Sequence, residues 1–276
     1  MTRTITLAHS PDADDAFMFY ALAKDKIDTG GLRFVHTLMD IQSLNVDALN
    51  EKYDVTAVSF GMYPHIADKY ALLSSGSSIG DGYGPIVVSK EPLEPAKLAD
   101  TLVAIPGENT SAFVSLKLYC PALKYVVMDF MEIQEAVIDG KVPAGLLIHE
   151  GQLTYAEEGL KKVVDLGEWW KAKTSLPLPM GGNAIRRALG PELMMKASHI
   201  LRASIRYSLE HRDAALEYAM TFGRGLPKEK ADRFVGMWVN ELTVDYGDYG
   251  KNAVRTFLTA ATDAGILPSV ENLEFY

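Results

Sequence analysis

The 276-residue chain has a single cysteine, Cys120, so no disulfide can form within it, and it has no Cys-x-x-Cys metal or redox motif. Basic runs are also missing. The net charge of -9 is spread along the chain, so a nucleic acid or another polyanion would meet a repulsive field before contact. No stretch approaches the roughly 20 apolar residues that span a bilayer. The apolar part of the first ten residues is too short for the hydrophobic core of a signal peptide, and the acidic Asp12, Asp14 and Asp15 follow it at once. His-Glu-x-x-His spacing and a phosphate-cradling Gly-x-x-x-x-Gly-Lys are both absent. The expectation is a cytoplasmic protein that acts on a small molecule, with no nucleic-acid or membrane partner.

What remains is an ordinary globular balance, 48% hydrophobic and 23% charged, in a chain long enough for two α/β lobes. Ile5 to His9 alternates like a strand, Ser10-Pro11 breaks it, and Asp14 to Lys26 carries helical apolar positions. Leu32 to Leu38 and Asp54 to Phe60 read as further strands around a helix at Ser43 to Glu51. Ser74 to Gly84 is rich in small residues whose backbone can approach a ligand closely. A second series starts at Leu102 to Ile105, turns through Pro106 to Ser111 into a helix, and returns through an apolar strand ending at His149. Val163 to Leu166 reads as a strand, and two prolines keep Leu176 to Pro179 extended. From Pro191 the pattern is helical almost to the end, with Ile200, Ile205, Leu209 and Leu216 on amphipathic faces.

Two such series joined by two extended crossings imply two lobes. The expected division is residues 1–89 with 179–276 in the first and 90–178 in the second, with a ligand cleft between them. Ligands of open parallel sheets sit at the C-terminal strand ends, where Ser59, Pro106 to Ser111 and His149 all fall. Asn109, Thr110 and Ser111 occupy a strand-to-helix turn, where hydroxyls and leading N–H groups can hold a substrate carboxylate or simply cap the helix. Ser59 can face the cleft or satisfy its own turn. His149 has a side chain whose ordinary pKa near 6.5 suits proton abstraction at neutral pH, and it is equally a residue that backbone hydrogen bonds can satisfy. His9, Trp169 and Trp170 read as structural.

Four blocks carry a resemblance over nearly the whole chain. They are Ala144 to Glu150 (AGLLIHE), Tyr155 through Leu160, Val163 to Trp170 (VVDLGEWW) and Leu176 to Pro179 (LPLP). In this order they resemble the menaquinone-biosynthesis enzymes of the futalosine route, and among them the 1,4-dihydroxy-6-naphthoate synthase family. The resemblance implies an α/β, two-lobed, type II periplasmic-binding-protein-like fold. It also implies a carbon–carbon lyase that releases 1,4-dihydroxy-6-naphthoate from cyclic dehypoxanthinyl futalosine without metal or organic cofactor, with His149 as the general base. Many family members read Ser-Pro-Cys-Pro-Asn-Asp-Thr-Phe at the first turn, whereas this chain reads Ser10-Pro11-Asp12-Ala13-Asp14-Asp15-Ala16-Phe17. The added carboxylates argue against a substrate carboxylate at that helix start unless they point away. Two alternatives stand beside this reading. Chorismate dehydratase shares the fold and part of the first turn, and a non-catalytic solute-binding protein shares the fold but would need an export signal.

Overall fold

The structure is a computed structural model and describes residues 3–222, 227–271 and 273–276. The chain starts with β1 (Arg3–His9), the short helices α1 (Ala13–Met18) and α2 (Tyr20–Ala23), β2 (Leu32–Leu38), α3 (Ile41–Leu49) and β3 (Val55–Ser59). Two short strands follow, β4 (Tyr70–Leu72) and β5 (Ser78–Gly80). Next come β6 (Ile86–Ser89), β7 (Leu102–Ile105), α4 (Ser111–Tyr119), β8 (Lys124–Val127), α5 (Ile133–Ile138), β9 (Ala144–Leu147), α6 (Gly151–Thr154), β10 (Lys161–Asp165) and α7 (Leu166–Thr174). The chain then crosses back through β11 (Leu178–Arg186) into α8 (Pro191–Glu210), α9 (Arg212–Met220), α10 (Lys228–Trp238), α11 (Glu241–Val244) and α12 (Gly247–Asp263).

These strands form two sheets. The first runs β2-β1-β3-β11-β4, with β5 also paired to β11, and the second runs β10-β6-β9-β7-β8. Each βαβ unit gives the parallel pairing its rhythm implies, β1 with β2 and β3, β7 with β8 and β9. The crossing strands β6 and β11 run antiparallel to their neighbours. The expected lobe boundary at residue 89 therefore moves forward, because Ile86–Ser89 is hydrogen-bonded into the second sheet and the first crossing lies just before it. A strand joins the lobe that pairs its backbone groups, whichever crossing it follows.

Local signals explain why the helices begin where they do. Asp40 accepts from Ser43 N at 2.9 Å, Thr110 from Phe113 N at 3.2 Å, and Asp165 from Gly167 N at 2.8 Å, capping α3, α4 and α7. One apolar core runs through both lobes behind the cleft, from Val103, Ile105 and Leu146 of the second to Phe60, Tyr70 and Phe257 of the first. Trp170 is fully buried in it and meets Phe257 edge-on at 5.8 Å, while Trp169 packs on Tyr119. Both tryptophans are thus packing residues, as their place beside an apolar strand suggests. No helix of the described residues is long and apolar enough to cross a membrane.

Candidate functional site

The ends of four strands converge between the lobes. A cavity there encloses about 770 Å³ of empty space, mouth included. Ser10 follows β1, Ser59 ends β3, Thr110 and Ser111 follow β7, and Ile148 follows β9, so the residues at these strand ends reach one cavity from both sheets. Its floor is formed by Met180, Gly181 and Gly182 in β11. Gly181, paired with the lining residue Ser59, leaves that floor without a side chain at its position, which lets a ligand lie close to the sheet, whereas a Cβ on Gly182 would meet Tyr246 and Phe60 instead.

Three of the five residues named from sequence line this cavity: Ser59, Thr110 and Ser111. Each is also held by the protein. Thr110 Oγ donates to Gly107 O at 2.8 Å and accepts from Phe113 N, so capping is realised. Ser111 Oγ accepts from Gly61 N at 2.9 Å, a bond between the lobes. Gly61 permits this approach, since a Cβ there would meet Val114 at 2.9 Å. Ser59 Oγ accepts from Asn45 Nδ2 at 3.1 Å, and the same amide reaches Asn109 O at 3.3 Å. The Asn109 side chain lies outside the cavity lining.

His149 stands directly behind the wall, between the lining residues Ile148 and Gln152, with 8% of its surface exposed. Its Nδ1 accepts from Gly151 N at 2.9 Å, which places the proton of the neutral ring on Nε2, and Phe130 packs edge-on at 5.9 Å. His9 is buried away from the cavity. Its Nδ1–H donates to Ser10 O at 2.8 Å, its Nε2 accepts from His36, and burial lowers its pKa to about 4, so it is a neutral structural residue.

The acid-rich first turn does not point away. Asp12, Asp14 and Asp15 all line the cavity. Asp15 accepts from Ser10 N at 2.8 Å, Asp12 from Ser10 Oγ at 2.7 Å, and Asp14 from Ser78 Oγ at 3.2 Å. Burial, then the charges of Asp12 and Glu150, push the Asp14 carboxyl up to about 7, and burial with Asp14 pushes Asp15 well above the carboxylate range. Among the described residues no group of three or more His, Cys, Asp or Glu side chains has the arrangement to hold a metal ion. Ser78, from the small-residue segment Ser74 to Gly84, also lines the cavity, and sequence reasoning missed two further lining residues, Gln152 and Trp238. Gln152 lies three residues after His149, but Trp238 gave no signal of its own inside an amphipathic helix.

Comparison with known proteins agrees with this architecture. A family model described as "Menaquinone biosynthesis" matches residues 5–263. A Streptomyces coelicolor protein named 1,4-dihydroxy-6-naphthoate synthase is 37% identical over 273 residues, covering 97% of this chain and 96% of its own. An Archaeoglobus fulgidus protein of known crystal structure superposes with a TM-score of 0.92 at 45% identity, over 96% of this chain and 98% of that one. A Candida albicans protein described as having the generic periplasmic binding protein fold matches with a TM-score of 0.73 at 14% identity, over 98% of this chain and 92% of that one, which establishes the two-lobed fold alone. From its first βαβ unit to its last long helix, the chain belongs to the menaquinone-biosynthesis family.

Proposed function

We propose that the protein is the lyase that converts cyclic dehypoxanthinyl futalosine to 1,4-dihydroxy-6-naphthoate, acting in the cytoplasm. The observation that carries this reading is near-full-length similarity to a named synthase, and a cavity at the strand ends supports it. In this reading the substrate carboxylate lies at the start of α4. The leading N–H groups of that helix and the Ser111 hydroxyl favour anionic oxygen there, while Thr110 caps the helix start. Loss of one substrate proton starts the fragmentation, the spiro-ring sugar fragment departs, and formation of the second aromatic ring draws the reaction forward.

His149 is the proposed proton acceptor. It adjoins two lining residues, and its acceptor nitrogen, Nδ1, is engaged by Gly151 N–H. Base catalysis through Nδ1 therefore requires that contact to open as substrate enters, a tightening and exchange of partners usual between free and substrate-bound sites. The test is rescue of a bacterium of the futalosine route that lacks its own naphthoate-forming enzyme. Expression of this chain restores growth without added menaquinone, and an equal amount of His149→Ala, with turnover lowered about 100- to 10,000-fold, does not. A well-expressed wild-type chain that fails to rescue contradicts the function, and rescue by His149→Ala contradicts the role of the histidine.

A further inference from the structure

The cleft has two chemically different ends, separated by the width of one strand. Gly181 of β11 pairs with Ser59 of β3 on one side and with Ser78 of β5 on the other. Those two serines therefore stand two strand spacings apart, roughly 9.5 Å, with only backbone between them. The Ser59 end adjoins the start of α4 through the Asn45 amide, which bonds both Ser59 Oγ and Asn109 O. The Ser78 end carries Asp14, hydrogen-bonded to Ser78 Oγ, with Asp12 and Asp15 beside it. An anion placed there would add charge beside Asp12 and the buried Asp14 and Asp15 carboxyls, whose own ionisation is already disfavoured, so the two ends favour different parts of a ligand.

Two further side chains of the lining each hold a buried polar atom with no hydrogen-bond partner. Gln152 is 8% exposed and its amide nitrogen donates to Leu147 O at 3.2 Å, but its Oε1 has no hydrogen-bond partner. Glu150, two residues earlier, is near enough for its charge to act on the Asp14 carboxyl. Trp238 is 4% exposed on α10, which packs against α1 and β5, and its indole Nε1 has no partner either. Both residues line the same cavity as Asp14. Proteins rarely leave such buried atoms unsatisfied without a ligand or water to meet them. One orphan acceptor and one orphan donor, beside carboxyls that disfavour anions, are the complement of neutral hydroxyl groups, which donate and accept at once.

We propose that Asp14, Gln152 and Trp238 hold the hydroxyl-bearing ring of the ligand, and that this wall sets which aromatic acid the cleft accepts. The inference rests on the proposed synthase reading, because that product carries its carboxylate on one ring and both hydroxyls on the other. A site built to satisfy hydroxyls discriminates strongly against an analogue without them, because its own buried groups are then left unpaired.

The test is calorimetric titration, under anaerobic conditions, with 1,4-dihydroxy-6-naphthoate and with 2-naphthoate, which keeps the carboxylate and lacks both hydroxyls. The wild-type protein is expected to prefer the dihydroxy acid by about tenfold or more, the worth of one good hydrogen bond. In Trp238→Phe and in Gln152→Met the preference falls by about threefold or more, while affinity for 2-naphthoate stays within about twofold, which also shows that the variants are folded. Equal affinity of the wild-type protein for both acids, or an undiminished preference in both variants, overturns the inference and leaves the synthase reading standing. Failure of the wild-type protein to bind either acid overturns both.

Discussion

Asp14 is a carboxyl whose surroundings make ionisation costly: burial comes first, then the charges of Asp12 and Glu150, and together they raise it to about 7. In the unfolded chain an aspartate titrates near 3.9. Between these values the folded state holds a proton that the unfolded state has lost, so this residue's contribution to stability is fully present below about pH 4 and declines as pH rises towards 7. Asp14→Asn removes the charge and keeps an acceptor for Ser78 Oγ. Melting of the two proteins across pH is therefore expected to show little difference near pH 4 and an advantage for the variant at pH 8, at about 2–4 °C for each kcal/mol regained. A variant that melts lower at pH 8 contradicts the assignment. At this scale the sequence was only partly legible. Ser59, Thr110 and Ser111 could be placed at the cleft because strand-end positions follow from chain order alone. Gln152 and Trp238 could not, because whether a buried polar atom has a partner depends on residues far away in the chain. The carboxylates of the first turn were visible, but the direction they face is set by α10, which packs against both α1 and β5.

Among the elements, α7 shows how neighbouring, similar residues acquire different weights. Asp165 caps its start through Gly167 N and Glu168 N, and the helical turn then points Trp170 into the core behind the cleft while Trp169 stays at its margin. Trp170→Ala is expected to cost about 3–5 kcal/mol, the range for emptying a buried aromatic site, and Trp169→Ala markedly less. Denaturant unfolding of the two variants measures the difference, and equal costs would contradict the packing described here. Strand β11 is the element that sequence periodicity hid. Pro179, Gly181 and Gly182 give it poor intrinsic strand character, yet β3 flanks it on one side and β4 and β5 on the other, and tertiary pairing overrides local preference. The short β4 and β5 were hidden for the same reason. The helices after Pro191 were readable because each buries a stripe at helical spacing, such as Met194, Ala197, Leu201 and Ser208 along α8.

At the scale of the whole molecule, two sheets, two crossings and a core continuous through both lobes leave a cavity where the strand ends meet. The two-lobed plan was legible because two βαβ series separated by extended segments admit few other arrangements. The boundary was not, because β6 pairs with β9 and β10 after its own crossing. The fold alone serves solute binding and catalysis alike, so function has to be argued from the cleft and the family together. The most direct measurement is incubation of the purified chain with cyclic dehypoxanthinyl futalosine, following the reaction by chromatography with mass detection. The account predicts time-dependent release of 1,4-dihydroxy-6-naphthoate over many turnovers, with chorismate left unchanged in a parallel reaction. Unchanged substrate, or consumption of chorismate in its place, would contradict it.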